Sequence, residues 1–266
     1  MNFCVDGRHS YSVLKQADEI RVAYRDKGIL MDYIEKVPDK TIILDIPTEE
    51  FENVNINEIL MYSEKFSNFY ACIHKLEHFL IFANNNINWY WAYPITSFFE
   101  LRAILKLQPS QILLAAPLTF SLPQVKKLCS DIKIRAVANS AVPKYLIVSM
   151  YKDNVAGFWI RPEDVDTYAQ YIDTIEFDVN YGDYKKEAIL LDVYKSRSWP
   201  GNINLLIDNL NRNISNIAIP NDFAEKRIAC GQACMVNGVC KYCNNALKVA
   251  EDIRKLAYER RKKKDN

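Results

Sequence analysis

Glycine and proline are scarce, seven and ten residues in a chain of 266, and no low-complexity tract or short repeat is present. Long flexible linkers and repeat architectures are thereby disfavoured. An excess of charge of one sign is missing too. With 34 Lys and Arg against 33 Asp and Glu, the formal net charge is +1, and no global pull towards nucleic acid or a membrane surface results. No apolar run approaches the roughly 20 residues that a membrane-spanning helix needs. The opening stretch, Met1 to Gln16, lacks the apolar centre of a secretory signal, so a cytoplasmic location is expected rather than an oxidising one. Several short motifs are absent as well: there is no G-x-x-x-x-G-K-[ST] phosphate loop, no G-x-S-x-G elbow and no H-E-x-x-H pair.

What is present is enough apolar sequence, 49 % of residues, for a full core, and an unusual concentration of cysteine. Four of the seven cysteines fall within fourteen residues, as Cys230-x3-Cys234-x5-Cys240-x2-Cys243, with Gly231 and Gly238 among them. Thiolates this close suit a metal: tetrahedral Zn²⁺ and a [4Fe–4S] cluster both take four Cys ligands, so the spacing implies a metal without naming it. The bland alternative is free cysteines or two disulfides in a surface loop. Cys4, Cys72 and Cys129 are isolated; Cys72 and Cys129 read as small core hydrophobes. The basic tail Glu259 to Lys264 reads as a solvated helix end before it reads as a nucleic-acid arm.

Short apolar runs alternate with amphipathic stretches along most of the chain. Residues 1–40 read as an N-terminal helical segment, with a helix over Val13 to Glu35. Strands are then expected at 41–47, 69–74, 89–93, 112–117, 134–138, 157–160, 174–178 and 203–207, separated mostly by helical crossovers. Ser97-Phe-Phe-Glu100 and Ser121-Leu-Pro-Gln124 have the form of capping boxes, and Pro162 begins a helix whose first turn is acidic. Eight such units predict a (β/α)₈ TIM-like barrel over 41–208, followed at 209–266 by a cysteine metal module and a final helix, Asn244 to Lys262. An open doubly wound sheet is the runner-up, weakened by the lack of a Gly-rich turn after the first strand.

A barrel of this kind carries its chemistry at the C-terminal ends of its strands. Those ends read Asp45, His74, Tyr93, Asn139, Arg161, Glu176, Asp178, Asp208 and Asn209. Arg161 is the candidate anion clamp, because a guanidinium presents a planar donor fork to a carboxylate or phosphate; otherwise it pairs with Glu176 or Asp178. Glu176 and Asp178 share one face of their strand and are the candidate acid/base residues. His74, with His78 four residues on, reads as a structural histidine rather than half of a metal pair.

The barrel pattern with Cys230-Gly-Gln-Ala-Cys234-Met-Val-Asn-Gly-Val-Cys240 resembles the peptidase U32 family, whose signature has two cysteines flanking a short Gly-containing turn. The segments Trp159 to Asp164, Tyr171 to Phe177 and Ala224 to Arg227 also resemble uncharacterised bacteriophage proteins. The turn Cys234 to Cys240 is one residue shorter before its glycine than in that family. The resemblance implies a [4Fe–4S] cluster on four cysteines and oxygen-independent modification of an RNA base or a small anionic substrate. Two hypotheses follow. One is a U32-like metal-dependent enzyme with Arg161, Glu176 and Asp178 in the site. The other is a non-catalytic phage-encoded binding or structural protein, with zinc on Cys230, Cys234, Cys240 and Cys243 and room for a protein partner.

Overall fold

Strand-forming runs rich in Ile, Val and Leu recur at intervals too long for a hairpin, and the chain uses the intervals for helices. The structure, a computed structural model, describes residues 1–138, 160–177, 184–197 and 222–230. Eight parallel strands close into a barrel in chain order: β1 (Asn2–Asp6), β2 (Glu19–Ala23), β3 (Thr41–Ile46), β4 (Phe69–Ile73), β5 (Trp89–Ile95), β6 (Gln111–Leu114), β7 (Lys133–Val137) and β8 (Thr174–Glu176). β1 pairs with β2 on one side and with β8 on the other. The chain is thus a (β/α)₈ barrel, with α1 (Tyr11–Gln16), α2 (Leu30–Lys36), α3 (Ile56–Lys65), α4 (Phe79–Asn84), α5 (Phe98–Leu105), α6 (Leu122–Leu128) and α7 (Val165–Tyr168) between its strands. Two more helices, α8 (Tyr184–Ser196) and α9 (Phe223–Ile228), follow β8.

The fold class agrees with the expectation, but the membership of the sheet does not. The first 40 residues are not a helical segment; they supply β1 and β2, and the expected helix over Val13 to Glu35 contains β2. The reason is local. α1 stops at Ala17, and Asp18 exchanges bonds with β1: its N–H donates to the Phe3 carbonyl at 3.0 Å while its carboxylate accepts from the Phe3 N–H at 2.9 Å. Six residues of helix are too few to continue alone, and burial of Ile20 and Val22 then favours the strand. Gly7 follows β1 where a Cβ would meet Val22 Cγ2 at 2.7 Å, so the close approach to β2 excludes a side chain. Of the expected strand at 157–160, Ile160 is described; it is not in a strand, though its N–H bonds the Ala138 carbonyl at 2.8 Å. The expected strand at 203–207 lies outside the described residues.

The scarcity of glycine shows at helix exits, where a left-handed residue often ends the helix. Those positions after α4, α5 and α8 are Asn86, Gln108 and Arg197, with φ of 54°, 53° and 55°. The first capping box forms with a shift. Ser97 Oγ accepts from the Glu100 N–H at 3.2 Å, but Glu100 reaches Thr96 N–H at 2.8 Å instead of Ser97. In the second, the Ser121 hydroxyl has no hydrogen-bond partner among the described residues.

By its contacts the chain divides into two units. The first, Met1–Ala115 with Cys129–Ala136 and Ile172–Glu176, holds the barrel strands and α1 to α5. The second, Ala116–Leu128 with Val137–Tyr171 and Phe177–Asn266, holds α6 to α9. Within it Arg227 of α9 is fully buried, with its guanidinium 4.9 Å from the Phe120 ring and 2.5 Å from the Thr119 hydroxyl. Among the described residues no helix is long and apolar enough to cross a membrane.

Candidate functional site

Period-two alternation divides each barrel strand into an outer and an inner row. Outer positions such as Ile20, Val22, Ile42, Leu44, Ile112, Ile134 and Ile175 are apolar and buried. The inner row is polar to an unusual degree: β2 contributes Glu19 and Arg21, β6 Gln111, β7 Arg135 and β8 Thr174 and Glu176. Barrel lumens are usually filled by branched aliphatic side chains. Here Arg135 and Glu19 are completely buried inside the barrel instead.

These groups form one hydrogen-bonded network. Arg135 donates from Nε to Glu176 at 2.5 Å, and from Nη1 to Glu19 at 2.5 Å and to Gln111 at 2.7 Å. Thr174 donates to the other Glu19 oxygen at 2.8 Å. Arg21 bridges Glu176 and the Tyr90 hydroxyl, the latter at 2.6 Å. Burial alone would raise the pKa of Glu176, but Arg21 and Arg135 together hold it below the usual carboxylate range. A carboxylate held between two guanidinium groups is a weak proton acceptor, so this geometry makes Glu176 an anchor for the arginines. Among the described residues, Arg135 Nη2, Gln111 Nε2 and Arg21 Nε lack hydrogen-bond partners.

At the C-terminal ends of β3 and β4 the network meets a second group. Asp45 lies opposite Cys72 in the β3–β4 register, and His74, two residues after Cys72, follows on the same side of the chain. His74 Nε2 is 2.7 Å from Asp45 and 3.9 Å from Cys72 Sγ. Asp45 and His74 keep 22 % and 31 % of their side-chain surface exposed, whereas Cys72 is fully buried. Burial pushes the Asp45 carboxyl up, but the His74 hydrogen bond and the Arg21 charge outweigh it and leave its pKa lowered. Burial drives the Cys72 thiol well above its ordinary value, although Arg21 and the Tyr90 hydroxyl favour the thiolate. An imidazole fixed by a carboxylate and open to solvent at a barrel mouth can transfer protons or bind a cation.

The described residues singled out in the sequence belong to different units. Glu176 joins the lumen network in the first unit. Arg161, in the second, is buried, and its guanidinium grips the Asp164 carboxylate through Nε and through Nη2, the latter at 2.7 Å. Asp164 is three residues on, across the first turn of the helix that Pro162 begins, and Glu163 lies 3.5 Å from Nη1; of the alternative partners read from the sequence, Asp178 lies outside the described residues. Cys230 is partly buried just after α9, its N–H bonded to the Arg227 carbonyl at 3.1 Å. Cys234, Cys240, Cys243, Asp178, Asn139, Asp208 and Asn209 lie outside the described residues. Sequence reasoning missed Glu19, Arg21, Gln111 and Arg135. The alternation in Glu19-Ile-Arg-Val22, Lys133-Ile-Arg-Ala136 and Thr174-Ile-Glu176 carried the signal: each strand places polar side chains on one face.

No protein-family model matches the chain, and no curated protein matches it. Among solved structures it is similar to the U32 peptidase Mk0906, at 8 % identity and a TM-score of 0.44, over 67 % of this chain and 91 % of that one. It is also similar to orotidine 5'-monophosphate decarboxylase from Sulfolobus solfataricus, at 13 % identity and a TM-score of 0.40, over 73 % and 97 %. A third is a KDPGal structure, at 10 % identity and a TM-score of 0.45, over 73 % and 92 %. The assignment of the chain to the (β/α)₈ barrels is carried by its own closed parallel sheet of eight strands.

Proposed function

We propose that this chain is a barrel enzyme acting on a small anionic or RNA-derived substrate at the C-terminal ends of its strands. The observation that carries the reading is the Asp45–His74 pair, 2.7 Å apart and open to solvent at the end of which barrel enzymes make use. His74 is the general acid/base, and Asp45 fixes its ring and tautomer. Arg21, about a third exposed and within electrostatic reach of Asp45, supplies the positive charge for an anionic group. The cysteine motif completes the proposal: Cys230, Cys234, Cys240 and Cys243 hold a [4Fe–4S] cluster or Zn²⁺, and with a cluster the chemistry is a U32-like modification.

The test is turnover. The protein, purified anaerobically, is incubated with nucleoside monophosphates, sugar phosphates, 2-oxo acids and bulk RNA, and products are followed by mass spectrometry. Turnover that falls at least ~100-fold in His74→Ala supports the reading. Turnover equal in the variant, or no turnover of any compound, overturns it. Iron or zinc content and the visible spectrum of the same preparation identify the cysteine-bound group, which Cys240→Ser is expected to lose.

A further inference from the structure

We propose that Asp45, Cys72 and His74 form a mononuclear site for a borderline divalent cation, zinc foremost, separate from the C-terminal cysteines. The three donor atoms, one oxygen, one sulfur and one nitrogen, lie within 4.8 Å of one another. This is the mixed set that zinc accepts, and a softer or harder ion would favour all-thiolate or all-oxygen ligands. Around tetrahedral zinc, with bonds of about 2.0–2.3 Å, neighbouring donors stand roughly 3.2–3.7 Å apart. The observed 2.7 Å between Asp45 and His74 and 3.9 Å between Cys72 and His74 bracket that span. Small side-chain adjustments therefore bring all three onto one ion.

The scaffold is of the right kind. Asp45 and Cys72 are fixed opposite each other by the β3–β4 register, and His74 leaves β4 at its first residue beyond the strand. Strands hold ligands more rigidly than a long loop does. The surroundings also supply an outer shell: Cys72 packs in one buried cluster with Tyr90, whose hydroxyl accepts from Arg21 at 2.6 Å. Arg21 would repel a cation, but Glu176 pairs with it, and the Asp45 carboxylate and a Cys72 thiolate supply two negative charges to the ion. Three protein ligands leave a fourth position, on the side where Asp45 and His74 are exposed, for water or a substrate oxygen. This keeps the reading of the barrel mouth as an active site and rests on it for the use of the ion, but with the ion bound His74 Nε2 is a ligand and the acid/base role passes to the water in the fourth position; binding is tested apart from turnover.

Full-length wild type, His74→Ala, His74→Cys and Cys72→Ala are incubated anaerobically with Zn²⁺ and desalted, and metal per chain is counted. The C-terminal cysteines are common to all four proteins and cancel in the differences. We expect His74→Ala and Cys72→Ala each to hold one zinc fewer than wild type, and His74→Cys, which restores a ligand, to regain it. Equal zinc in wild type and His74→Ala overturns the site. Loss in both variants without recovery in His74→Cys also overturns it, because His74 would then be structural. Wild type that holds this ion but turns nothing over keeps the metal site and removes the enzyme reading; turnover undiminished without the ion does the reverse.

Discussion

Two buried arginines make the contrast most worth drawing. Arg161 is gripped by Asp164, three residues along the chain, in the first turn after Pro162. Arg135 is gripped by Glu176, 41 residues away, and by Glu19, 116 residues away. The first pair is made by one turn of backbone and exists whenever that turn exists. The second exists only once the barrel has closed. Local pairs stabilise an element, whereas Arg135 ties β7 to β8 and β2 and selects which strands face one lumen.

Removing the cation at each place should break the comparison in order of cost. Arg135→Ala leaves the buried Glu19 carboxylate without its cation and Glu176 with Arg21 alone, and is expected to cost ~3–5 kcal/mol in urea unfolding. A loss under 1 kcal/mol would mean that water already enters the lumen. Arg161→Ala is expected to cost about 1–3 kcal/mol, because Asp164 keeps its place near the backbone N–H groups of a helix start. If Arg161→Ala proved the costlier of the two, the distinction between local and closing pairs would fail. Ser97→Ala removes only the cap of α5 and should cost ~1 kcal/mol, again measured by urea unfolding.

The smallest effect is one of pH. Asp45 and Glu176 both have folded pKa values below their ordinary values of 3.8 and 4.5. Each therefore contributes stability that is complete above its unfolded value and is lost as pH falls through the folded one. Melting temperature should drop more steeply below about pH 4 in wild type than in Asp45→Asn. Parallel curves would show that the His74 bond is not retained in solution.

The same contrast explains what was legible beforehand. Buried runs such as Thr41–Ile46 and Gln111–Leu114 announce parallel strands because both faces of such strands are covered, and six of the expected eight strands overlap observed strands, β3 to β8. β1 and β2 were not legible. Their polar inner rows, Asn2, Cys4 and Asp6 and then Glu19, Arg21 and Ala23, disguise them, and helical periodicity across Val13 to Glu35 competes with them. Asp45, His74 and Glu176 were recognised as strand-end residues, yet Cys72 was read only as a core hydrophobe. Its proximity to Asp45 is a matter of register, which no spacing in the sequence reveals.

By itself, then, the sequence determined the alternation of strand and crossover from β3 onwards, the Ser97 cap, the Pro162 turn and the four-cysteine spacing, all of which depend on neighbours a few residues apart. Tertiary structure decided that β1 meets β8, that Arg135 lies between Glu19 and Glu176, and that Asp45, Cys72 and His74 converge. The physical reason is desolvation. A charge tolerates the interior only beside its complement, and which complement arrives there is settled by closure of the sheet.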